Sequence, residues 1–454
     1  MNKPSDVIRR LPELDGLRGI AALSVIMAHY TPATPTTEHA TIPYLFNWVH
    51  TLSLANIGVL FFFGLSSFLL TWLAEEKFKL SDSFNRTRFL ANRFFRIVPL
   101  YVAVLAISLL VIRDNRWFPN FSAHEIATRQ YSINHIWIYV LFLYNWVGAF
   151  IGFNNFHPSD FNEFGHLWTL SVEVQFYVLF AIFFTTIRKL LKRISEFILA
   201  SVVVGLLMRI IFIAIMTKGF AGQPAGYLYF YTGSYFEVFL LSSVAGILFA
   251  RREDFVPQLE LLRRPGVGFA IVLLLASLGW AWKFFIWNPA ASASPTGTLI
   301  FYSVAITLYS VFGLLIAISL LWLAINRGSR LGAFLQMPLL QAFGTLSYGI
   351  YMWHLPAKFV LYGFDKRMLM GLDGDRRLIG VFLMFLIYLA FVIALAGLTF
   401  WAVESPWHKL RRILESKKGR SVHAVGLGHA PFKLILTASG IGGVALLAIC
   451  LMRI

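Results

Sequence analysis

The sequence has little charge and almost no cysteine. Only 13% of its 454 residues are charged, against roughly 25% in a soluble globular protein, while 58% are hydrophobic and the mean hydropathy is +0.70. The single cysteine, Cys450, excludes an intramolecular disulfide framework and a thiolate metal cluster. These shortages exclude a soluble enzyme and a disulfide-rich secreted domain, and the composition predicts a polytopic membrane protein.

Acidic residues are scarcer than basic ones: 22 Asp and Glu stand against 39 Lys and Arg, which gives a net charge of +17. A basic surplus is also typical of nucleic-acid-binding proteins. Here, however, the basic residues form short clusters between apolar stretches, a pattern typical of the loops of a membrane protein. We therefore expect membrane lipids, and no nucleic acid, among the partners.

Eleven apolar stretches are long enough to cross a bilayer, which takes about 20 helical residues. They are ten predicted core helices and one C-terminal helix, over residues 14–31, 52–74, 97–113, 167–187, 197–217, 234–250, 267–287, 298–325, 339–361, 378–402 and 434–452. A twelfth stretch, 135–151, is short and contains Asn145. The basic connections 74–96 and 188–196 should lie on the same side of the membrane, so the number of crossings between them must be even. The spans 97–113 and 167–187 supply two, and 135–151 is therefore interpreted as a re-entrant or interfacial segment. The predicted fold is an all-α, polytopic membrane helix bundle.

The distribution of basic residues predicts the orientation of the chain. With the N-terminus in the cytoplasm, 26 Lys and Arg fall in cytoplasmic segments and 8 in extracytoplasmic ones, as the positive-inside rule requires. The first apolar stretch lacks a convincing cleavage site, so we expect a retained helix rather than a signal peptide. The predicted organisation is a transmembrane core over 1–406, a basic cytoplasmic linker over 407–433 and an appended helix over 434–454, with an extracytoplasmic C-terminus.

Ionisable side chains inside these spans are candidate functional residues, because each costs about 2.5–3.5 kcal/mol to insert. The first helix carries Arg18 near its start and His29 eleven residues later, about 16 Å further along the axis. Arg18 is also compatible with an interfacial anchor, and the alternative for His29 is a hydrogen-bonded histidine of the helix bundle. In a later span, Glu173 and Tyr177 lie at i and i+4 on one helical face. A carboxylate at that depth needs a partner, for which a histidine is suitable.

Two further polar groups lie in the later spans. Ser347, Tyr351 and His354 follow at i, i+4 and i+7 and form one polar stripe, which lines a cavity or contacts another helix. Arg209 and Glu237, in neighbouring spans, can neutralise each other either as a structural pair or as a functional one.

Two arginines, Arg93 and Arg96, lie at i and i+3 where a span begins. Guanidinium groups bind phosphates in a bidentate manner, so together with Arg18 they can hold a phosphorylated cytosolic donor. Arginines at a membrane boundary are also compatible with a purely structural role.

Five motifs follow one another along the chain. They are LDGLRGIAAL at 14–23 followed by His29, the Arg93-x-x-Arg96 pair, HLWTLSVEVQFY at 166–177, SYGIYMWHLP at 347–356, and ESP at 404–406. In this order they resemble the motifs of the membrane-bound acyltransferase-3 family of O-acyltransferases. One departure is Ser67, where that family commonly has glycine. Another is the predicted C-terminal membrane helix, where some members carry an esterase-like extracytoplasmic domain.

The resemblance implies an enzyme that transfers an acyl group, usually acetyl, from cytoplasmic acyl-CoA to a hydroxyl of an extracytoplasmic or lipid-linked carbohydrate. It also implies a multi-pass protein of the bacterial inner membrane. The donor co-substrate is acyl-CoA, usually acetyl-CoA, and no metal is expected. The oligomeric state stays open.

The roles implied by the resemblance fall into four groups. His29 is expected to take the proton of the acceptor hydroxyl with Glu173 as its orienting partner, and an acyl-His29 intermediate is an open alternative. The acyl oxyanion or the substrate is expected to be held by Ser347, Tyr351 or His354. The donor phosphates are assigned to Arg18, Arg93 and Arg96. The residues expected to contact substrate are His166, Trp168, Tyr177, Arg209 and Glu237.

Two other classes of function are alternatives. A transporter or flippase would use Arg18, Arg209, Glu173 and Glu237 as an ion or lipid path, and it predicts repeat symmetry between halves, which we do not find in the sequence. A membrane sensor would need neither the arginine pair nor His29. Aromatic residues in the predicted outer segments fit a sugar-binding surface or the aromatic belt of any membrane protein.

Overall fold

A computed structural model of the chain describes residues 11–30, 49, 52–112, 134–150, 164–190, 193–219, 228–264, 266–286, 295–369, 371–372, 374–407 and 409–410. Across these ranges the chain is helical and contains no strand, which confirms the predicted all-α membrane bundle. The predicted linker 407–433 lies almost wholly, and the appended helix 434–454 wholly, outside the described residues. Both stay predictions.

Ten long helices correspond to the ten predicted core spans. With the short helices between them, they are α1 (Pro12–His29), α2 (Leu54–Ser81), α3 (Arg86–Ile112), α4 (Ile136–Val140), α5 (Tyr144–Phe150), α6 (Trp168–Leu190), α7 (Ile194–Gly219), α8 (Phe236–Ala250), α9 (Val256–Arg263), α10 (Val267–Ile286), α11 (Pro295–Ile325), α12 (Arg330–Leu335), α13 (Pro338–Leu369) and α14 (Gly374–Thr399). The 3₁₀ turns Gly165–Leu167 and Thr232–Tyr235 lead into α6 and α8, and the π-helical turn Phe400–Glu404 continues α14.

Eight of the ten long helices are apolar enough to cross a membrane by length and composition. The two exceptions are α1 and α13, whose sequences carry many of the polar candidates identified above. These two helices pack closely together, and α2 covers α1 from another side. The approach depends on glycine, because a Cβ atom on Gly344 would lie 2.0 Å from the Asp15 carbonyl oxygen. The polar helices are therefore largely shielded from lipid by other helices.

We call the end of the bundle at which α1 begins the arginine end, and the opposite end the histidine end. At the arginine end, the buried Glu75 accepts hydrogen bonds from Arg188 at 2.8 Å and from Arg251 at 2.7 and 2.5 Å. Glu13, at the start of α1, pairs with Arg327 at 3.1 Å. Basic residues at this end thus link α2 to the ends of α6 and α8, and α1 to the end of α11.

The basic connection 74–96 is mostly helical. α2 continues to Ser81 and α3 begins at Arg86, so the chain turns over only four residues. Asn85 caps α3, since its Oδ1 accepts a hydrogen bond from the Arg88 amide at 2.8 Å. Hydropathy marks only the apolar part of each helix, and both helices extend beyond it with charged, exposed turns.

The segment predicted to be re-entrant forms α4 and α5, whose five and seven residues are too few to span a bilayer. A polar network fixes it to α6 and to the turn before α8. Gln175 donates to Asn145 Oδ1 at 2.8 Å and accepts from Trp146 Nε1 at 2.9 Å, while Thr232 accepts from Asn145 Nδ2 at 2.8 Å and donates to Gln175 Oε1 at 2.7 Å. The segment is thereby held at a defined position against the bundle.

Candidate active site

A cavity with about 600 Å³ of empty space, part of it open to solvent, lies between α1, α2, α3, α6 and α13. It is lined by Arg18 of α1, Val59, Phe62, Phe63 and Ser66 of α2, Arg96 and Ile97 of α3, Thr169, Leu170, Glu173 and Tyr177 of α6, and Ser347, Tyr348 and Tyr351 of α13. Most of these positions recur at three- or four-residue spacing, because one face of each helix meets the cavity. Four of the five sequence motifs thus converge on one site.

The part of the cavity toward the arginine end is charged. Arg18 and Arg96 line it together with Glu173, whose Oε1 accepts hydrogen bonds from the hydroxyls of Ser66 and Tyr177. Arg18 interacts electrostatically with both Arg96 and Glu173. Arg18 also forms an ion pair with Asp15 at 3.2 Å, so two carboxylates offset part of the repulsion between the two guanidinium groups.

Arg93 occupies a different position from Arg96. It does not belong to the described residues that line the cavity, and its guanidinium carbon lies 5.9 Å from the ring centre of Tyr177 and 6.0 Å from that of Phe89. Both distances are within the range of a cation–π contact. The predicted arginine pair is therefore divided between the cavity wall and the aromatic rings beside it.

The part of the cavity toward the histidine end is mainly apolar. Val59 and Phe62 of α2 face this part, together with Leu170 of α6. The polar groups here are the hydroxyls of Thr169 and Tyr351, which share a hydrogen bond of 2.6 Å across the α6–α13 contact. The cavity therefore changes from a charged region to an apolar one along its length.

A histidine cluster, formed by His29, His166 and His354, lies next to Tyr351. The ring centres of His29 and His354 are 5.0 Å apart, and those of His166 and His354 are 4.8 Å apart. The Tyr351 ring centre is 5.4 Å from that of His166 and 5.3 Å from that of His354, and its hydroxyl donates to the His166 carbonyl at 3.0 Å. Tyr351 thus lines the cavity and also contacts the cluster.

Backbone carbonyls determine which imidazole nitrogen carries the proton in two of the histidines. His29 Nδ1 lies 2.8 Å from the Val25 carbonyl oxygen, and His354 Nδ1 lies 2.5 Å from that of Tyr351. Because a carbonyl oxygen only accepts, each Nδ1 must be the donor, and in the neutral ring Nε2 is the basic atom. Nε2 of His354 is buried and has no hydrogen-bond partner within the described ranges.

The structure separates some residues that the sequence analysis placed together. The hydrogen bonds of Glu173 go to residues of the cavity, and within the described ranges none of them reaches His29. Ser347 lines the cavity but donates to the Gly344 carbonyl of its own helix at 2.8 Å. Trp168 packs in an aromatic group and lies 5.7 Å from Tyr235 between ring centres.

Arg209 and Glu237 form a bidentate ion pair with both N–O distances at 2.7 Å. Both side chains are fully buried, and Ser310 bonds to each of them at 2.6 Å. Gly205 makes room for this pair, because a Cβ atom there would lie 2.2 Å from the Glu237 carboxylate. The pair joins α7, α8 and α11, and its residues do not line the described cavity.

Several residues of the site were not selected from the sequence. Ser66 and Thr169 are hydroxyl residues inside apolar spans, and Tyr348, whose hydroxyl donates to the Ile97 carbonyl at 2.7 Å, lies within a quoted motif. Thr169 lies four residues before Glu173 and Tyr348 three residues before Tyr351, and this helical spacing is the signal that would have found them. Ser66 has no such signal. Ser67 does not line the cavity, since its buried hydroxyl bonds to α8.

Within the ranges that the structure describes, no group of three or more His, Cys, Asp or Glu is placed to hold a metal ion.

Residues 11–401 match the model of the acyltransferase domain that defines the acyltransferase-3 family. The chain belongs to this family. The match covers most of the chain and includes the cavity and the histidine cluster.

Two bacterial relatives of this chain have O-acetyltransferase in their names. The O-acetyltransferase OatA of Staphylococcus aureus (strain NCTC 8325 / PS 47) is 24% identical over 364 residues, which is 77% of this chain and 50% of the relative. The putative peptidoglycan O-acetyltransferase YrhL of Bacillus subtilis (strain 168) is 23% identical over 456 residues, which is 96% of this chain and 63% of the relative. The chain therefore spans half to somewhat under two thirds of these relatives. No solved structure matches it.

Proposed function

We propose that this acyltransferase-3 family member is an integral membrane O-acyltransferase. It moves an acetyl group from cytoplasmic acetyl-CoA to a hydroxyl of an extracytoplasmic carbohydrate, and the name of the Bacillus subtilis relative favours peptidoglycan as the acceptor. The observation that supports this most directly is one cavity with arginines toward one end and a histidine cluster beside the other. The same proposal places the arginine end and the N-terminus in the cytoplasm.

The donor would enter at the arginine end. Arg18 and Arg96 provide guanidinium groups for the phosphates of acyl-CoA, and Arg93 adds positive charge beside them. Glu173 would offset the repulsion between the two cavity arginines and hold the hydroxyls of Ser66 and Tyr177 in place. In this proposal Glu173 belongs to the donor site and does not act on His29.

The chemical step would take place between the apolar part of the cavity and the histidine cluster. Nε2 of His29 takes the proton of the acceptor hydroxyl, whose oxygen then forms a bond to the thioester carbonyl carbon. As the carbon–sulfur bond breaks, the thiolate of CoA leaves and takes up a proton. The hydroxyls of Thr169 and Tyr351 both lie 3.0 Å from the His166 carbonyl oxygen, and one of them would stabilise the oxyanion by giving up that hydrogen bond. Nε2 of His354 offers a second base, and transfer through an acyl-His29 intermediate uses the same atoms.

The test is a transfer assay with the full chain in proteoliposomes. Labelled acetyl-CoA is supplied on one side and a soluble peptidoglycan fragment on the other, and ester-linked label on the fragment is measured. We expect label only when donor and acceptor face opposite ends of the protein. Intact cells give an independent readout, since loss of the gene should remove one acetyl mass per acceptor unit from cell-wall glycans. Unchanged glycans and no label in liposomes would contradict the proposal.

A further inference from the structure

We infer that Phe62, with Val59, restricts the acyl group to a short, uncharged chain. This inference rests on the proposed function, because it concerns the donor that the cavity accepts. It is supported by the residues of α2 and α6 that line the cavity. From Thr169 to Tyr177 the lining extends over nine residues of α6, about 12 Å of helix axis.

The lining is graded along this length. Arg18, Arg96 and Glu173 lie toward the arginine end, and none of the described lining residues toward the histidine end carries a charge. A donor with phosphates at the arginines must therefore place its thioester at the apolar end, beside Tyr351 and the histidine cluster. The acyl tail has to fit within that end.

Two of the groups at this end are already engaged. The hydroxyls of Thr169 and Tyr351 share the 2.6 Å hydrogen bond and both lie 3.0 Å from the His166 carbonyl oxygen, so they are held in place and leave no space for the tail. The remaining wall is formed by Val59, Phe62 and Leu170. The Phe62 ring meets the Tyr351 ring edge-on, with 5.9 Å between ring centres.

The helix α2, which carries Val59 and Phe62, has little freedom to move away from the cavity. Phe63, the next residue of α2, is buried and packs at 5.0 Å against both Tyr235 and Phe239 between ring centres. In a close-packed interior, an added methylene group displaces the neighbouring side chains, because there is no empty space for it to fill. A longer acyl chain would therefore displace Phe62, and the terminal carboxylate of a succinyl group would be buried without a cation near it.

The experiment compares acetyl-, propionyl-, butyryl- and succinyl-CoA as donors for the full-length protein in proteoliposomes. The variants are Phe62→Ala and the milder Phe62→Leu, and the control is Phe61→Ala. Phe61 is a buried neighbour on the same helix that does not line the cavity. We expect wild type to prefer acetyl-CoA and the Phe62 variants to raise the butyryl-to-acetyl ratio of kcat/KM by at least about 10-fold. Phe61→Ala should leave the ratio unchanged, and no variant should accept succinyl-CoA.

The outcomes separate this inference from the proposed function. If wild type transfers no acyl group from any of the four donors, the proposed function fails. If wild type transfers acetyl and a folded Phe62→Leu or Phe62→Ala protein keeps the wild-type ratio, or if the control shifts it equally, Phe62 does not set the chain length. Efficient succinyl transfer by wild type would also overturn the inference.

Discussion

In His29 and His354 a backbone carbonyl of the same helix holds Nδ1, so the imidazole is fixed in one tautomer before any substrate arrives. Both rings therefore offer Nε2 as the basic atom, and their centres are only 5.0 Å apart. A proton taken by one ring would make a second protonation beside it unfavourable. At the scale of single residues, we expect the pair to carry one proton at a time during turnover.

The first prediction concerns His29. His29→Ala should lower acetyl transfer by about 10²–10⁴-fold, because the hydroxyl loses its base. Alanine is a good helix former, so thermal unfolding in detergent should change little. The matched control is His135→Ala, a histidine outside the cluster, which should retain activity. A well-folded His29→Ala protein with near-normal transfer would exclude His29 as the base.

The second prediction separates the two arginines of the Arg-x-x-Arg motif. Arg96→Lys keeps the charge in the cavity but loses bidentate geometry, so the KM for acetyl-CoA should rise by about 10-fold or more with a smaller effect on kcat. Arg93→Lys should raise it less, because Arg93 does not line the described cavity. Equal effects of the two substitutions would show that the cavity lining does not decide which arginine holds the donor.

The ionisable candidates could be selected from the sequence, but their grouping could not. An ionisable residue in an apolar span is visible as such, and so is its depth along the helix. Glu173 was expected beside His29 on that basis, yet its hydrogen bonds go to Ser66 and Tyr177. Which side of a helix faces which neighbour depends on how the helices rotate and pack, and a single sequence does not contain that information.

At the scale of elements, the contact between α1 and α13 determines whether the site assembles. Gly344→Ala would bring a Cβ atom to 2.0 Å from the Asp15 carbonyl oxygen, so the two helices must move apart. We predict a loss of about 1–3 kcal/mol in the free energy of unfolding, as for other overpacked sites, together with reduced transfer. Chemical or thermal denaturation in one detergent measures the first effect.

The control for this prediction is Gly397→Ala in α14, where an added Cβ atom meets nothing within 4 Å. Removal of a mid-helix glycine there should be neutral or stabilising by up to about 1 kcal/mol. If both alanine variants behave alike, the close approach of α1 and α13 does not limit stability.

Each predicted core span has a helix, because about 20 apolar residues leave few alternatives in a bilayer. The helix ends are less predictable: α2 and α3 extend into the basic connection, where propensity and capping replace hydropathy as the determining factor. The attachment of α4 and α5 also escaped prediction. It depends on Gln175, a residue of α6 that had no expected role.

At the scale of the whole molecule, the proposed function requires one orientation in the membrane. In a Cys450→Ser background, a cysteine introduced at the exposed Ser83 in the turn between α2 and α3 should react with a membrane-impermeant maleimide only after the cells are opened. A cysteine at the exposed Asp375, in α14, should react in intact cells. The reverse pattern would contradict donor entry at the arginine end.

The hydrogen bond between Thr169 and Tyr351 has a consequence for the energy supply of the cell. A protein with a charged, water-accessible cavity on one face of a membrane and titratable histidines toward the other is close to being a proton channel. In the described part of the bundle, this contact lies where the cavity meets the histidine cluster, and we expect it to close the path between them. While the two hydroxyls stay together, an idle protein would not dissipate the electrochemical gradient, and a Tyr351→Ala protein should make sealed vesicles leaky to protons.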